Sequence, residues 1–330
     1  MTSVLDHSDA YVRIEEGLGG RRMILVEPKG ELFVPVKAWE TAYPLDLIER
    51  VLQVKGPAHL CDEIMRDEDT LYVQHSFRWD ILSYIEENAF AGRRVLDFGT
   101  GSGASSIVLA RMLPADEIVG VELVREHVEL ARHRAKFYGM DGRVMFYLSP
   151  DPNNLPAGIG QFDYIIFSAV YEHLLPRERP TLLTLLWSHL RPGGVIFLDQ
   201  TPYRWFPIEM HTTGLPLINY LPDRLALACA RRFSKRVRPY ESWPELLRRG
   251  IRGGTTREIM GNLNRDGRKA ELLKPTRLGV KDYIDLWYRL SSTTRKPLIK
   301  KLMMWGFRAV KTTTGITMIP CLSLAIRKVR

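Results

Sequence analysis

Apolar residues along this chain follow two different rhythms, and the change between them divides it. Five short apolar runs, Arg94–Phe98, Glu117–Glu122, 143–148, Phe162–Ser168 and 194–199, predict strands. Helical spacing after Ser102, around 125–138 and over 180–190 places helices between them. Strands that are apolar on both faces belong in a parallel sheet covered on both sides, so the pattern predicts an α/β, Rossmann-like doubly wound fold.

Ahead of this core (76–199), the runs Arg22–Pro28 and 30–36 predict a hairpin turning at Lys29-Gly30, followed by helical patterns over 44–65. Together they read as a small N-terminal cap, 1–75. Phe77, Ile81, Leu82 and Ile85 recur at helical spacing and lead through Gly92 into the first core strand. The interval 200–292 breaks the rhythm with Pro, Trp and Arg and short helical patterns such as Asp223–Phe233 and 281–290, which predicts a mainly helical insertion forming a substrate lid. The rhythm resumes over 293–330 with a helix near 297–305, a strand near 308–312 and a final strand 322–328. These predict a closing antiparallel hairpin on an otherwise mostly parallel sheet. There is no internal repeat or low-complexity tract.

Composition changes this picture little. The 330 residues are 45% hydrophobic and 26% charged, ordinary for a soluble globular protein. Cys61, Cys229 and Cys321 are widely separated, with no CxxC pair, so neither a disulfide framework nor a metal site is expected from them. No stretch reaches the roughly 18 apolar residues of a membrane span, and the N-terminus lacks a signal-like apolar region. A cytoplasmic protein is expected.

Charge is divided unevenly. Residues 1–199 hold 20 Lys+Arg against 29 Asp+Glu, and residues 200–330 hold 27 against 9. The basic half suits an anionic small-molecule, glycan-linked or lipid-linked acceptor, peripheral contact with the inner face of a membrane, or nucleic acid, as well as a simply solvated surface, and charge alone does not separate these.

The chemistry concentrates in Val95-Leu-Asp-Phe-Gly-Thr-Gly-Ser-Gly103, where alternate glycines between strand and helix let a ligand approach the backbone. Asp97 precedes the first glycine. A fixed carboxylate there repels a pyrophosphate and suits an ammonium or sulfonium group, and Ser106 stands where a dinucleotide loop places its third glycine. Glu122 ends the second strand, a position from which a carboxylate reaches ribose hydroxyls.

These segments, with Gly120-Val-Glu-Leu, Asp151-Pro-Asn-Asn-Leu-Pro156, Phe162-Asp-Tyr-Ile-Ile, Tyr171-Glu-His-Leu and Leu190-Arg-Pro-Gly-Gly-Val-Ile, resemble the ordered motifs of class I S-adenosylmethionine-dependent methyltransferases over roughly 76–199. Gly306-Phe307 and the last strand are similar to the family's closing strands. The resemblance implies S-adenosylmethionine as cofactor. It implies that Asp97, Gly99, Gly101 and Gly103 hold the methionine end, Glu122 and Leu123 the ribose side and Asp151 the adenine amino group, with Ser168 and Ala169 beside the sulfonium.

Methyl transfer is an in-line displacement, so alignment dominates, and a hydroxyl acceptor also needs a base. His173, after the fourth strand, is the first candidate base, with bracing of its loop as the competing role. Glu209 and His211, in a polar stretch expected to cross the pocket mouth, are the next, with turn-building as the competing role. Asp199, Glu209 and His211 could gather a metal, but their spacing demands none. Arg231, Arg232, Lys235, Arg236, Arg238, Arg248, Arg249 and Arg252 favour an acceptor bearing phosphate or carboxylate.

The expected reaction is O-methylation of a sugar, glycolipid or secondary metabolite. A lipid or quinone acceptor at a membrane surface is the alternative, and a non-catalytic module on the same scaffold is the other. The absence of a recognisable RNA-binding module, and of an Asn/Asp-Pro-Pro-Tyr/Phe motif where the chain reads Ser168-Ala-Val-Tyr171, argues against nucleic acid.

Overall fold

The computed structural model describes residues 2–291 and 297–329. The chain opens with β1 (Thr2–His7), β2 (Ala10–Glu16), β3 (Arg22–Pro28) and β4 (Ala38–Thr41), a four-stranded antiparallel sheet in sequence order. Helices α1 (Leu45–Lys55), α2 (Leu60–Glu68) and α3 (Val73–Asp80) follow. The expected hairpin partner at 30–36 is not a strand. β3 pairs instead with β2 and with β4, because Pro28 and Pro35 interrupt the ladder and pairing resumes beyond them.

The core then alternates β5 (Arg94–Phe98), α4 (Ala104–Met112), β6 (Glu117–Glu122), α5 (Arg125–Phe137), β7 (Val144–Leu148), β8 (Phe162–Ser168), α6 (Arg179–His189) and β9 (Leu190–Pro202). After it come α7 (Asp223–Phe233), α8 (Trp243–Arg248), α9 (Thr256–Leu263), β10 (Ala270–Leu272), α10 (Tyr283–Leu290), α11 (Pro297–Thr314) and β11 (Cys321–Lys328). The second sheet runs β7-β6-β5-β8-β9-β11-β10, with β5 to β9 parallel and β11 and β10 antiparallel. Strand order reverses between β5 and β8, and a crevice opens at such a switch point at the carboxyl ends of the strands.

Alternation along β5 explains the two layers. Val95 packs with Ile107, Ile118 and Phe197 on one face, and Leu96 with Val119, Leu183 and Leu186 on the other. The cap core, built on Val12, Ile24, Leu47, Ile48 and Val51, includes Leu130 of α5, so the cap sits on the domain.

The closing hairpin differs from expectation. Residues 308–312, together with Gly306-Phe307 just before them, are not a strand but part of α11. Val310 and Thr312 suggested a strand, yet the hydroxyls of Thr312 and Thr314 bond back to the carbonyls of Arg308 (2.9 Å) and Val310 (2.7 Å). Lys311 also pairs with Asp282 at 2.8 Å, tying α11 toward α10. β11 pairs with β9 on one side and on the other with β10, three residues within the interval 200–292, so that interval is not wholly an insertion. Much of the rest of the interval has its own small core of Ile218, Ala226, Ala230, Leu246 and Ile251.

Asp80, 2% exposed at the end of α3, accepts a hydrogen bond from the Ser76 hydroxyl (2.8 Å) while its Oδ1 is unpartnered. Burial pushes its pKa up to about 6. The fold therefore disfavours the charged form, a cost absent below the ordinary carboxylate range and fully present above about pH 6. Asp80→Asn is expected to stabilise the protein by about 1–3 kcal/mol at pH 8 and to lose that gain near pH 4. Thermal melts at the two pH values check this, and a less stable variant at pH 8 contradicts it.

Candidate functional site

The glycine loop turns at the carboxyl end of β5 with Gly99, Gly101 and Gly103 all at positive φ (74°, 57° and 85°). A Cβ on Gly99 would lie 2.7 Å from a Val170 methyl, and one on Gly103 would lie 2.6 Å from the Ala131 Cβ. Glu122 pins this loop: its Oε2 accepts the Gly101 N–H (2.9 Å), and its Oε1 accepts the N–H groups of Leu123 (2.7 Å) and Val124 (3.1 Å). A carboxylate has about four acceptor positions, which leaves capacity toward the cavity. Asp97 is buried and accepts hydrogen bonds from the hydroxyls of Ser105 and Ser106, both at 2.6 Å. Burial pushes its pKa up, opposed by those hydroxyls and by the charge of Arg66, so a ligand cation would further favour the carboxylate form.

Two cavities meet at Gly99. The first, about 450 Å³, is lined mainly by apolar surface including Phe98, Val121, Leu123 and Val170, with Glu122, Ser149, Asp151 and His173 at its edges. The second, about 240 Å³, is polar and contains Asp97, the glycine loop, Ser168 and Gln200 from the core, and Lys55, Glu63 and Arg66 from the cap. A nucleoside suits the first, and a zwitterionic chain suits the second. Asp151 stands at the rim with its carboxylate already turned to the Asn153 N–H (2.7 Å) and the Asn154 amide (2.9 Å), which holds its pKa down.

A third cavity, about 230 Å³, shares Arg66, Val73 and Gln200 with the second and adds Tyr72, His75, Ser76 and Leu290. The backbone beside the polar cavity is strained. Ala169, just after β8, and Gln200, within β9, neither of them glycine, hold positive φ of 52° and 59°. Ser168 donates to the buried Asp199, and the Gln200 amide donates to Ser168 (3.3 Å).

The candidate bases separate. Glu209 is 3% exposed, and its two oxygens are occupied, accepting from the N–H groups of His211, Thr212 and Thr213 and from the Thr213 hydroxyl. It builds the turn. Asp199 lies apart in the sheet, so the set Asp199, Glu209 and His211 is not assembled. His173 lines the nucleoside-side cavity, and its ring lies 5.7 Å from that of His211.

Of the cations expected to meet an anionic acceptor, Arg252 is buried, while Arg231, Arg232, Lys235, Arg236, Arg238 and Arg248 are exposed, and several already have partners within the protein. Arg236 donates to the Met210 carbonyl (2.8 Å) and Arg252 to the Leu221 carbonyl (2.7 Å). Arg248 pairs with Glu178, and Arg249 with Glu241 (2.6 Å). Sequence reasoning missed Lys55, Glu63, Arg66 and His75. They come from the cap and α3, and no local motif marks them as neighbours of a loop that follows them in sequence.

Known proteins bear on this geometry. Residues 95–194 match the family model described as a methyltransferase domain. The chain is 37% identical over 111 residues to a protein-L-isoaspartate O-methyltransferase from Bradyrhizobium sp. (strain ORS 278), covering 33% of this chain and 46% of that one. It is 30% identical over 146 residues to the mitochondrial ubiquinone biosynthesis O-methyltransferase of Saccharomyces cerevisiae, covering 43% and 41%. Among solved structures, the plantazolicin methyltransferase BpumL in complex with SAH aligns with a TM-score of 0.43 at 14% identity, covering 86% of this chain and 97% of that one. The chain spans about half or less of the length of the curated relatives it matches first.

Proposed function

We propose, from the premise that residues 95–194 are a class I S-adenosylmethionine-dependent methyltransferase domain, that this chain transfers the methyl group of that donor to a hydroxyl of a sugar or glycolipid. The observation that carries the reading is the pair of cavities meeting at Gly99, one apolar with Glu122 at its edge and one polar around Asp97. When bound, the donor supplies a methyl carbon activated by a positive sulfur. Glu122 and Leu123 take the ribose side, Asp151 the adenine edge, and Asp97 with the glycine loop the amino-acid end, whose carboxylate Lys55 and Arg66 can meet.

The acceptor enters the third cavity, which opens from the methionine side rather than the nucleoside side. Its lining of Arg66, Tyr72, His75, Ser76 and Gln200 suits a polyol, with an aromatic face for stacking and several hydrogen-bonding groups around it. His75 is placed to take the hydroxyl proton. Its Nε2 lies 3.1 Å from the Arg289 carbonyl, which can only accept, so Nε2 carries the hydrogen and Nδ1 holds the lone pair.

An acceptor presented at an anionic bilayer is the second reading, favoured by α11. Its outer face carries Leu298, Leu302 and Trp305, which are 75%, 64% and 58% exposed, with Lys301 over the Trp305 ring at 6.0 Å. Apolar residues interleaved with cations are the pattern of a helix lying in the headgroup layer. None of the described helices is long and apolar enough to cross a membrane.

One assay tests both readings. Methyl-labelled donor is supplied with alkyl glycosides, with a quinol in anionic vesicles and with an amine-bearing peptide. Label on the glycoside, reduced about 10²–10⁴-fold in kcat by His75→Asn, is the expected result. Label on the quinol alone supports the second reading and overturns the first, and label on the peptide alone overturns both.

A further inference from the structure

Glu172, His173 and His211 bring one carboxylate oxygen and two imidazole nitrogens within 4.8 Å of one another. We propose that these three side chains form a site for a first-row divalent cation that fastens the insertion to the core beside the nucleoside-side cavity. The inference does not depend on the identity of the acceptor.

Three features point to a ligand. The Glu172 carboxylate is buried, with no exposed side-chain surface, and its Oε1 has no hydrogen-bond partner while lying 3.8 Å from the His173 Nε2. A buried carboxylate oxygen left in this way carries a desolvation cost that a cation removes. The other groups are held as ligands usually are. The His173 Nδ1 is 2.7 Å from the Arg248 carbonyl, which fixes the hydrogen on Nδ1 and frees the Nε2 lone pair, and the Glu172 Oε2 accepts from the Thr201 hydroxyl (3.1 Å). Finally, room has been made for the third ligand. Gly250, at φ +94°, packs so closely that a Cβ there would lie 2.7 Å from the His211 Cδ2 and 3.3 Å from the Glu172 Cγ.

Donor chemistry selects the ion. Two imidazoles and one carboxylate suit zinc or a neighbouring transition metal with a fourth position for water, whereas magnesium and calcium prefer all-oxygen sets. Glu172 and His173 sit in the turn after β8, and His211 belongs to the segment that follows β9. A shared cation would therefore lock that segment against the cavity wall that His173 lines. Adjacent Glu-His with a histidine 38 positions on has no recognisable metal-ligand spacing, so the sequence alone gave no sign of it.

The test titrates the full chain, first stripped with a chelator, with zinc by calorimetry and with cobalt by visible absorption. The expected result is one zinc per chain and cobalt bands typical of low coordination, with little response to magnesium. Glu172→Gln and His211→Ala are each expected to weaken zinc binding at least tenfold, and S-adenosylmethionine binding to the metal-free protein is measured in parallel. Retained donor binding with no zinc uptake, or zinc uptake unchanged in both variants, overturns the site and leaves the methyltransferase reading intact. Zinc uptake without donor binding does the reverse. Should Glu172→Gln fail to fold, the exposed His211 carries the test through His211→Ala.

Discussion

Replacing Arg134 by methionine is expected to destabilise the protein by about 3–5 kcal/mol, because it leaves buried carboxylates without their cation. The Arg134 side chain is fully buried between the cap and the glycine loop. Its Nη1 donates to the Ser102 carbonyl (3.0 Å) and to Glu63 Oε1 (3.3 Å), and its Nε lies 3.9 Å from Asp67. Burial alone would push the Glu63 carboxyl up, yet Arg134 and Lys55 more than offset it and hold it below its ordinary value. The guanidinium is thus what lets α2 of the cap carry a charge against the loop. Denaturant unfolding reads the loss, and Glu63→Gln added to Arg134→Met should recover part of it by removing an orphaned charge. A loss under 1 kcal/mol contradicts the assignment.

Gly103→Ala should cost about 2–4 kcal/mol, since the new methyl meets the Ala131 Cβ at 2.6 Å and the Phe146 ring at 2.9 Å while the backbone sits at positive φ. Gly101→Ala is the informative contrast. Nothing lies within 4 Å of its added Cβ, so stability should fall by only about 1 kcal/mol from the backbone conformation. Its methyl would nonetheless stand in the polar cavity, where Gly101 is part of the lining, so donor affinity should fall while the fold survives. Melting curves and donor titrations on the two variants separate these effects. Equal stability losses would show that the glycines do not divide between packing and ligand approach.

The sequence made the core legible because each of its elements states its character locally. The runs at 94–98, 117–122 and 162–168 are apolar, bounded by turns and spaced by helices, and β5, β6 and β8 have those bounds. The glycine loop and Glu122 could be read for the same reason, since a strand end fixes where they point. Elements whose identity depends on distant partners could not. β10 is three residues long and exists because β11 pairs with it, and the helical state of 308–312 rests on contacts with α10. Glu209 looked chemical, but its turn consumes its oxygens. His75 and Arg66 carry no local mark of function, and the cap and α3 bring them beside the glycine-loop cavity. The insertion's arginines that already donate to its own carbonyls, Arg236 and Arg252 among them, show why charge counts alone do not locate an anionic ligand.

The site at the carboxyl ends of β5 and β6 suits S-adenosylmethionine and not a dinucleotide. Calorimetric titration of the ligand-free protein with S-adenosylmethionine and, separately, with NAD tests it, repeated on Glu122→Ala and Asp97→Asn. Micromolar binding of the methyl donor, about −7 to −8 kcal/mol, weakened tenfold or more by each substitution, is expected, with no binding of NAD. Binding of NAD in its place, or of neither ligand, would contradict it.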